Sequence, residues 1–405
     1  MLRALPVPRG IPARLLLAAG LALGLAACQQ APGSDAGPAL DQTPGATPEA
    51  TADPARPVVV ALLAPLTTAD PGAASAGNAL ANAGRMAAVD LADPGLELKV
   101  YDTLGTPEGA EAAAYRALGE GAALILGPLF GANTPAVAGV AGRAGLNVIS
   151  FSTDSAVAGG PVFVSGFLPE AEAARIVGFA ASRGFGRIGV YHPYTPYGGA
   201  ALRGAEDGTQ TNGARIVVES GYERTFQGIQ EGAEPFAGAA VAAGVTAILL
   251  PESGKGLQTV AAFMDYHGLD PAAVKYLGLG QWNASATLQE PTLKGGWFPA
   301  PDPDRLDVFA ALYEARHGAR PPFIAVLGYD AVQVAGQLLA EARRTGSRTP
   351  FGRAELTRPE GFQGALGPLR FRPDGQAERA MAILEVGAGA FEVADPAPSR
   401  LDLGS

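Results

Sequence analysis

Few side chains in this chain of 405 residues could carry out covalent or metal chemistry: three histidines, His192, His267 and His317, and one cysteine, Cys28. The histidines stand far apart, and none has another His or a Cys at metal-ligand spacing, so no metal site is expected. Each reads as a turn or helix-end residue. No G-x-S-x-G nucleophile elbow occurs. Gly184-Phe185-Gly186-Arg187-Ile188-Gly189 satisfies G-x-G-x-x-G, but it precedes a strand, whereas a dinucleotide loop must follow a strand and open a helix. It reads as a helix-to-strand turn. Ser253-Gly254-Lys255-Gly256 falls short of a phosphate loop, because Leu249 stands where its first glycine is required and no Ser or Thr follows Lys255. Carboxylates are plentiful, yet sequence alone selects no acid–base pair. The expectation is a non-enzymatic protein with no catalytic residue, no metal and no cofactor.

Cys28 draws its meaning from its position. Arg3, Arg9 and Arg14 precede the apolar run LLLAAGLALGL, residues 15–25, and Ala26-Ala27-Cys28 follows. A basic segment, an apolar segment and small residues form the grammar of an export signal. The apolar run would span about 16 Å as a helix, too short for a bilayer. Leu25-Ala26-Ala27-Cys28 resembles the bacterial lipobox, which implies signal cleavage after Ala27 and lipidation of Cys28. Gln29 follows the cysteine, which resembles outer-membrane rather than inner-membrane sorting. The expected location is the cell envelope, lipid-anchored and facing the periplasm.

Loss of residues 1–27 removes three arginines and no acid, so the net charge falls from −10 to −13. With no basic cluster, nucleic acid is not an expected partner. A single cysteine allows no disulfide framework. Residues 28–56 are dominated by Ala, Pro and polar residues and cannot build a core, so a disordered tether is expected there.

From Pro57 onward, short apolar strands alternate with helical stretches. Val58–Leu63, Leu96–Tyr101, Ala122–Leu126 and Asn147–Phe151 read as strands of one parallel sheet with helices between them. A second series follows, with strands at Val162–Val164, Arg187–His192, Arg215–Glu219, Ala247–Leu250 and Lys275–Leu279. Helices are expected at Glu170–Arg183, near 197–212, near 234–243 and at Leu257–His267. Long helices at Leu306–His317 and Ile324–Arg344 precede a Gly-rich stretch, 361–375, and a last strand at Ala380–Val386. The fold class is therefore α/β, with two Rossmann-like doubly wound lobes and a ligand cleft at the carboxyl ends of the strands.

The order of segments resembles the Leu/Ile/Val-binding family. Ala64-Pro65-Leu66-Thr67, Gly84-Arg85-Met86-Ala87, Tyr101-Asp102-Thr103, Ile125-Leu126-Gly127-Pro128, Tyr197-Gly198-Gly199 and Phe362-Gln363-Gly364…Phe371…Gly375 fall in that family's order. The resemblance covers about 57–392. It implies a type I periplasmic binding protein fold, in which a three-strand hinge joins two lobes that close on a ligand. Lobe 1 is expected at about 57–165 and 296–360, lobe 2 at about 166–295 and 361–392, and a tail at 393–405.

In amino-acid receptors of this kind, a hydroxyl residue after the third strand helps hold the ligand carboxylate. By spacing that position is Gly131 here, beside Phe130. In the loop after the fourth strand, Asp154 stands where the family usually has Thr, and it would repel a carboxylate. The acid that pairs with the ligand ammonium falls around Gly280-Gln281-Trp282, where there is none, although Glu252 is near by topology. The candidate cleft residues are thus Phe130, Gly131, Ser152, Thr153, Asp154, Tyr197, Glu252, Gln281 and Trp282, with a small polar ligand. Gly127-Pro128-Leu129-Phe130, Phe151-Ser152-Thr153-Asp154 and Gly166-Phe167-Leu168-Pro169-Glu170 further resemble the penicillin-binding protein activator lipoproteins of proteobacteria. That likeness implies a regulator acting by contact on a penicillin-binding protein, a peptidoglycan synthase, and it is the reading preferred from sequence. The helical-repeat domain of the enteric members has no counterpart in this sequence. The alternative is the receptor of an ABC importer for amino acids or a related small polar solute, with an ABC permease as partner.

Overall fold

Val58–Ala64 (VVVALLA) is buried at every position, as a central strand covered on both faces must be. It is β1 of a computed structural model that describes residues 48–401; Cys28, the expected signal and the first part of the expected tether lie outside those residues. In lobe 1, α1 (Pro71–Leu91), β2 (Leu96–Asp102), α2 (Pro107–Gly119), β3 (Ala122–Leu126), α3 (Thr134–Arg143), β4 (Val148–Ser150) and β5 (Val162–Val164) follow. Asp70 caps α1 through the N–H groups of Gly72 and Ala73, with Pro71 at its start. The five strands are parallel in the order β2-β1-β3-β4-β5.

The chain then builds lobe 2 from α4 (Pro169–Ser182), β6 (Arg187–Pro193), α5 (Pro196–Asn212), β7 (Arg215–Tyr222), α6 (Phe226–Ala242), β8 (Ala247–Leu249), α7 (Gly254–Tyr266), β9 (Lys275–Leu277), the one-turn α8 (Ser285–Leu288) and β10 (Trp297–Ala300). It returns to lobe 1 for α9 (Pro303–His317), α10 (Ala325–Thr345), α11 (Arg353–Leu356) and an antiparallel ribbon, β11 (Phe362–Gly364), β12 (Gly367–Phe371) and β13 (Ala377–Arg379). It ends in lobe 2 with β14 (Ala382–Val386) and β15 (Phe391–Asp395), antiparallel at one edge of a sheet ordered β15-β14-β10-β9-β8-β6-β7. Each sheet is covered on both faces. In lobe 1, Leu62, Leu80, Leu124 and Val332 share one core and Leu63, Ile125 and Val137 another; in lobe 2, Ile248, Val260 and Phe298 lie on one side and Ile188, Leu249 and Ile176 on the other. These are the two doubly wound lobes expected from the sequence.

The chain crosses between lobes three times, at 165–168, 301–302 and 380–381. Arg379 ties two of the crossings together. Its Nε donates to the Ser165 carbonyl at 3.1 Å, and its Nη1 pairs with Asp330 Oδ2 of α10 at 2.6 Å. Both side chains are almost wholly buried.

Several expectations are corrected. Residues 48–56 are not free tether: Ala50 N–H donates to Gly145 O, Ala52 N–H to Arg348 O, and Arg343 Nε to Pro54 O. These three bonds fasten the segment to lobe 1. Trp297–Ala300, expected in lobe 1, is a strand of the lobe 2 sheet. The stretch 362–379, expected in lobe 2, packs on lobe 1, because Phe362 and Phe371 bury beside Phe163. The expected tail begins inside β15, where Phe391 meets Phe298 edge-on at 5.0 Å. Helix α6 starts at Phe226, capped by Thr225, and runs through Pro235. His192 lies within β6, not at a turn, with Nε2 2.8 Å from Glu219 Oε1. Among the described residues no helix is long and apolar enough to cross a membrane, and no group of three or more His, Cys, Asp or Glu is placed to hold a metal ion.

Candidate functional site

Loops at the carboxyl ends of parallel strands from both lobes surround a cavity of about 560 Å³, the place where open α/β sheets bind ligands. The lobe 1 wall is the loop after β4. Ser150 Oγ contacts Thr134 Oγ1 at 3.1 Å and accepts the Ser152 N–H at 3.3 Å. Ser152 Oγ accepts the Asp154 N–H at 2.9 Å, and Asp154 Oδ1 accepts the Ala156 N–H at 3.0 Å. This chain of small turns buries Ser152 and leaves Thr153 and Asp154 exposed on the cavity.

Phe130 and Gly131 stand behind this wall and do not line the cavity. A Cβ at Gly131 would lie 2.8 Å from Ser152 Oγ and 3.3 Å from Asp154 Cβ. The missing hydroxyl residue after the third strand thus has a steric cause: the Ser152–Asp154 turn fills its place.

The lobe 2 wall is built from the ends of β6, β7, β8 and β9. Thr195 caps α5 through the Gly198 N–H at 3.1 Å, with Pro196 at its start, and this sets Tyr197 in the first turn. The Tyr197 hydroxyl is buried and has no hydrogen-bond partner. Burial, with the Glu172 and Glu252 carboxylates adding to it, drives its pKa far upward.

Glu252, at the end of β8, is 2% exposed. Arg224 Nε lies 3.0 and 3.1 Å from its two oxygens, and Arg224 Nη2 lies 2.7 Å from Oε1. The Tyr222 hydroxyl donates to Oε2 at 3.1 Å, and the Ser253 N–H to Oε1 at 2.9 Å. The carboxylate in turn raises the pKa of Arg224. The N-terminus of α7, weighed from sequence as a phosphate loop, is thus already turned onto the chain's own acid.

A second ion pair stands beside it. Glu170 Oε1, at the start of α4, accepts from Arg203 Nη2 at 2.8 Å and from Ser155 Oγ of lobe 1 at 2.5 Å, so this bond crosses between the lobes. Glu172 lies deeper, with Oε2 accepting the Gly280 N–H at 3.0 Å. Burial pushes its pKa up to about 7.

Of the sequence candidates, the structure therefore brings Thr153, Asp154, Tyr197, Glu252 and Gln281 to one cavity. Ser152 supports them from behind. Trp282 is not a cleft residue: it is fully buried, its indole N–H donates to Leu250 O at 3.2 Å, and its ring packs near Phe298 in the lobe 2 core. Cys28 lies outside the described residues. Arg203, Arg224, Ser155 and Glu172 were missed. Arg224, Ser155 and Glu172 are loop or first-turn residues following strands, a signal the sequence did contain; Arg203, in the third turn of α5, carries no such mark.

The family described as "Periplasmic binding protein" matches residues 57–390. Many solved structures share the fold. A protein described as a branched-chain amino acid ABC transporter from Rhodospirillum rubrum aligns at 18% identity over 83% of this chain and 99% of its own, with a TM-score of 0.70. An ABC transporter substrate-binding protein from Sphaerobacter thermophilus aligns at 18% identity over 85% and 99%, with a TM-score of 0.64. One from Desulfitobacterium hafniense, in complex with Leu, aligns at 20% identity over 84% and 100%, with a TM-score of 0.59. No curated protein matches the sequence at a significant level.

Proposed function

The chain belongs to the periplasmic binding protein family, and from that premise we propose that it is the envelope-anchored receptor of an ABC importer for a small polar solute. One observation carries this reading. Strand-end loops of two hinged lobes enclose a cavity of about 560 Å³ whose walls present Asp154, Arg203, Arg224 and Tyr197. That volume lies within the roughly 300–1,000 Å³ of small-molecule sites. The structural neighbours described as ABC transporter substrate-binding proteins support the same reading, which was the alternative from sequence. The anchor is Cys28, holding the folded body on the periplasmic face of the outer membrane.

The test is thermal denaturation of the mature chain with a broad panel of amino acids, short peptides, amines and carboxylic acids. A bound solute raises Tm by mass action, about 2.7 kcal/mol at a hundredfold excess over Kd. No shift from any solute would overturn the receptor reading.

A contact regulator of a penicillin-binding protein is the second reading. The observation favouring it is that Glu252 and Glu170 are already neutralised by Arg224 and Arg203, so those acids await no ammonium. In-cell crosslinking tests it: capture of a peptidoglycan synthase supports the regulator, and capture of permease subunits alone excludes it.

A further inference from the structure

One side-chain bond spans the seam between the lobes. Among the described residues, the Ser155 hydroxyl of lobe 1 and the Glu170 carboxylate of lobe 2 form the only side-chain to side-chain hydrogen bond that joins them, at 2.5 Å. Every ion pair among those residues lies within a single lobe. Both ends of the bridging bond are held in place. Ser152 Oγ and Asp154 Oδ1 brace the turn that carries Ser155. Arg203 Nη2 grips Glu170 Oε1 at 2.8 Å. The Glu170 side chain is 11% exposed, so the bond forms largely out of water, where it is stronger.

The surroundings leave that bond to act alone. Ser155 and Arg203 line the cavity of about 560 Å³ and also a second one of about 520 Å³. The second cavity has Glu170, Arg175 and Glu206 of lobe 2 on one side and Arg372, Gln376 and Glu378 of lobe 1 on the other. The bond is therefore a partition between two voids, and on neither side of it do the lobes pack together. Glu170 stands two residues beyond the crossing at 165–168, so the bond lies close to the pivot. A small displacement of Ser155 from Glu170 there becomes a large one at the rims of the cleft.

We propose that Ser155 and Glu170 form a latch that holds the lobes in this arrangement with no ligand between them. A hydrogen bond to a carboxylate is stronger than one between neutral groups, and one made in a single arrangement shifts the equilibrium toward it. Arg203 keeps the carboxylate turned to the seam. The chain's own residues then supply part of the closing force that a solute would otherwise have to provide. The latch does not depend on what the cavity binds, so it stands apart from the receptor reading.

Distance measurement between two nitroxide labels tests it. Glu108→Cys and Gln227→Cys place them on exposed first turns of α2 and α6, one on each lobe. The mature chain also carries Cys28→Ser, which removes the single native thiol. With no solute added, the labelled parent shows one dominant short distance. Ser155→Ala adds a longer one, the ratio of open to closed molecules rising about tenfold or more. Glu170→Ala does the same, and the double variant goes no further than either single one, because both remove one interaction. Ser155→Ala deletes a single half-buried hydroxyl and carries the test alone if Glu170→Ala does not fold. A distribution unchanged by Ser155→Ala would overturn the latch, as would additive shifts in the double variant or a parent already dominated by the longer distance. Because no solute enters the measurement, a solute panel without a hit would overturn the receptor reading and leave the latch standing.

Discussion

Replacing Tyr197 by Phe should make the protein more stable. The Tyr197 hydroxyl is buried and makes no hydrogen bond in the ligand-free molecule. A buried polar group left unpaired costs about 1–3 kcal/mol. Phe keeps the ring and removes only that atom, so Tyr197→Phe should stabilise the empty protein by up to this amount. Unfolding entropy is about 2.1 cal/mol/K per residue, or roughly 0.7 kcal/mol/K for about 350 folded residues. Calorimetric melting should therefore show Tm higher by roughly 1–4 °C. A lower Tm would refute the claim that the hydroxyl is unpaired.

Three further perturbations test other parts of the structure. Burial raises the Glu172 pKa to about 7 from its ordinary 4.5, so between those values the folded state holds a proton that the unfolded state has lost. Stability should fall as pH rises through that window, by about 3 kcal/mol in all, and level off above it. Glu172→Gln should abolish this slope, with a higher Tm than wild type at pH 8 and little difference at pH 4; an unchanged slope would place the buried proton elsewhere. Asp330→Asn leaves the Arg379 charge buried without its counter-ion at the crossings, and urea denaturation should show a loss of about 3–5 kcal/mol. Gly131→Ser forces a Cβ to within 2.8 Å of Ser152 Oγ and should cost about 1–3 kcal/mol in the same assay, with Ser152→Ala recovering part of the loss.

The sequence by itself determined the local elements and the rule for finding the site. Runs such as Val58–Ala64 have apolar side chains at every position, so they must be covered on both faces, and helices between them impose parallel pairing. Loops that follow such strands line the cleft, which is why Thr153, Asp154, Tyr197, Glu252 and Gln281 were legible. The resemblance to a binding family was legible as well, from the order of motifs. What each side chain does inside the cleft was not. Gln281 and Trp282 are adjacent in the tight turn Gly280–Trp282, and that turn sends one to the cavity and the other into the core. Arg224 and Glu252 are 28 residues apart and meet because β7 and β8 both flank β6. Arg203 and Glu170 are 33 apart and meet because α4 packs on α5. Lobe membership of 297–300 and 362–379 was decided by where the chain crosses, a choice no local propensity encodes. The charge of each residue is written in the sequence, but whether that charge is neutralised or left facing a ligand depends on neighbours that only the packed sheets bring together.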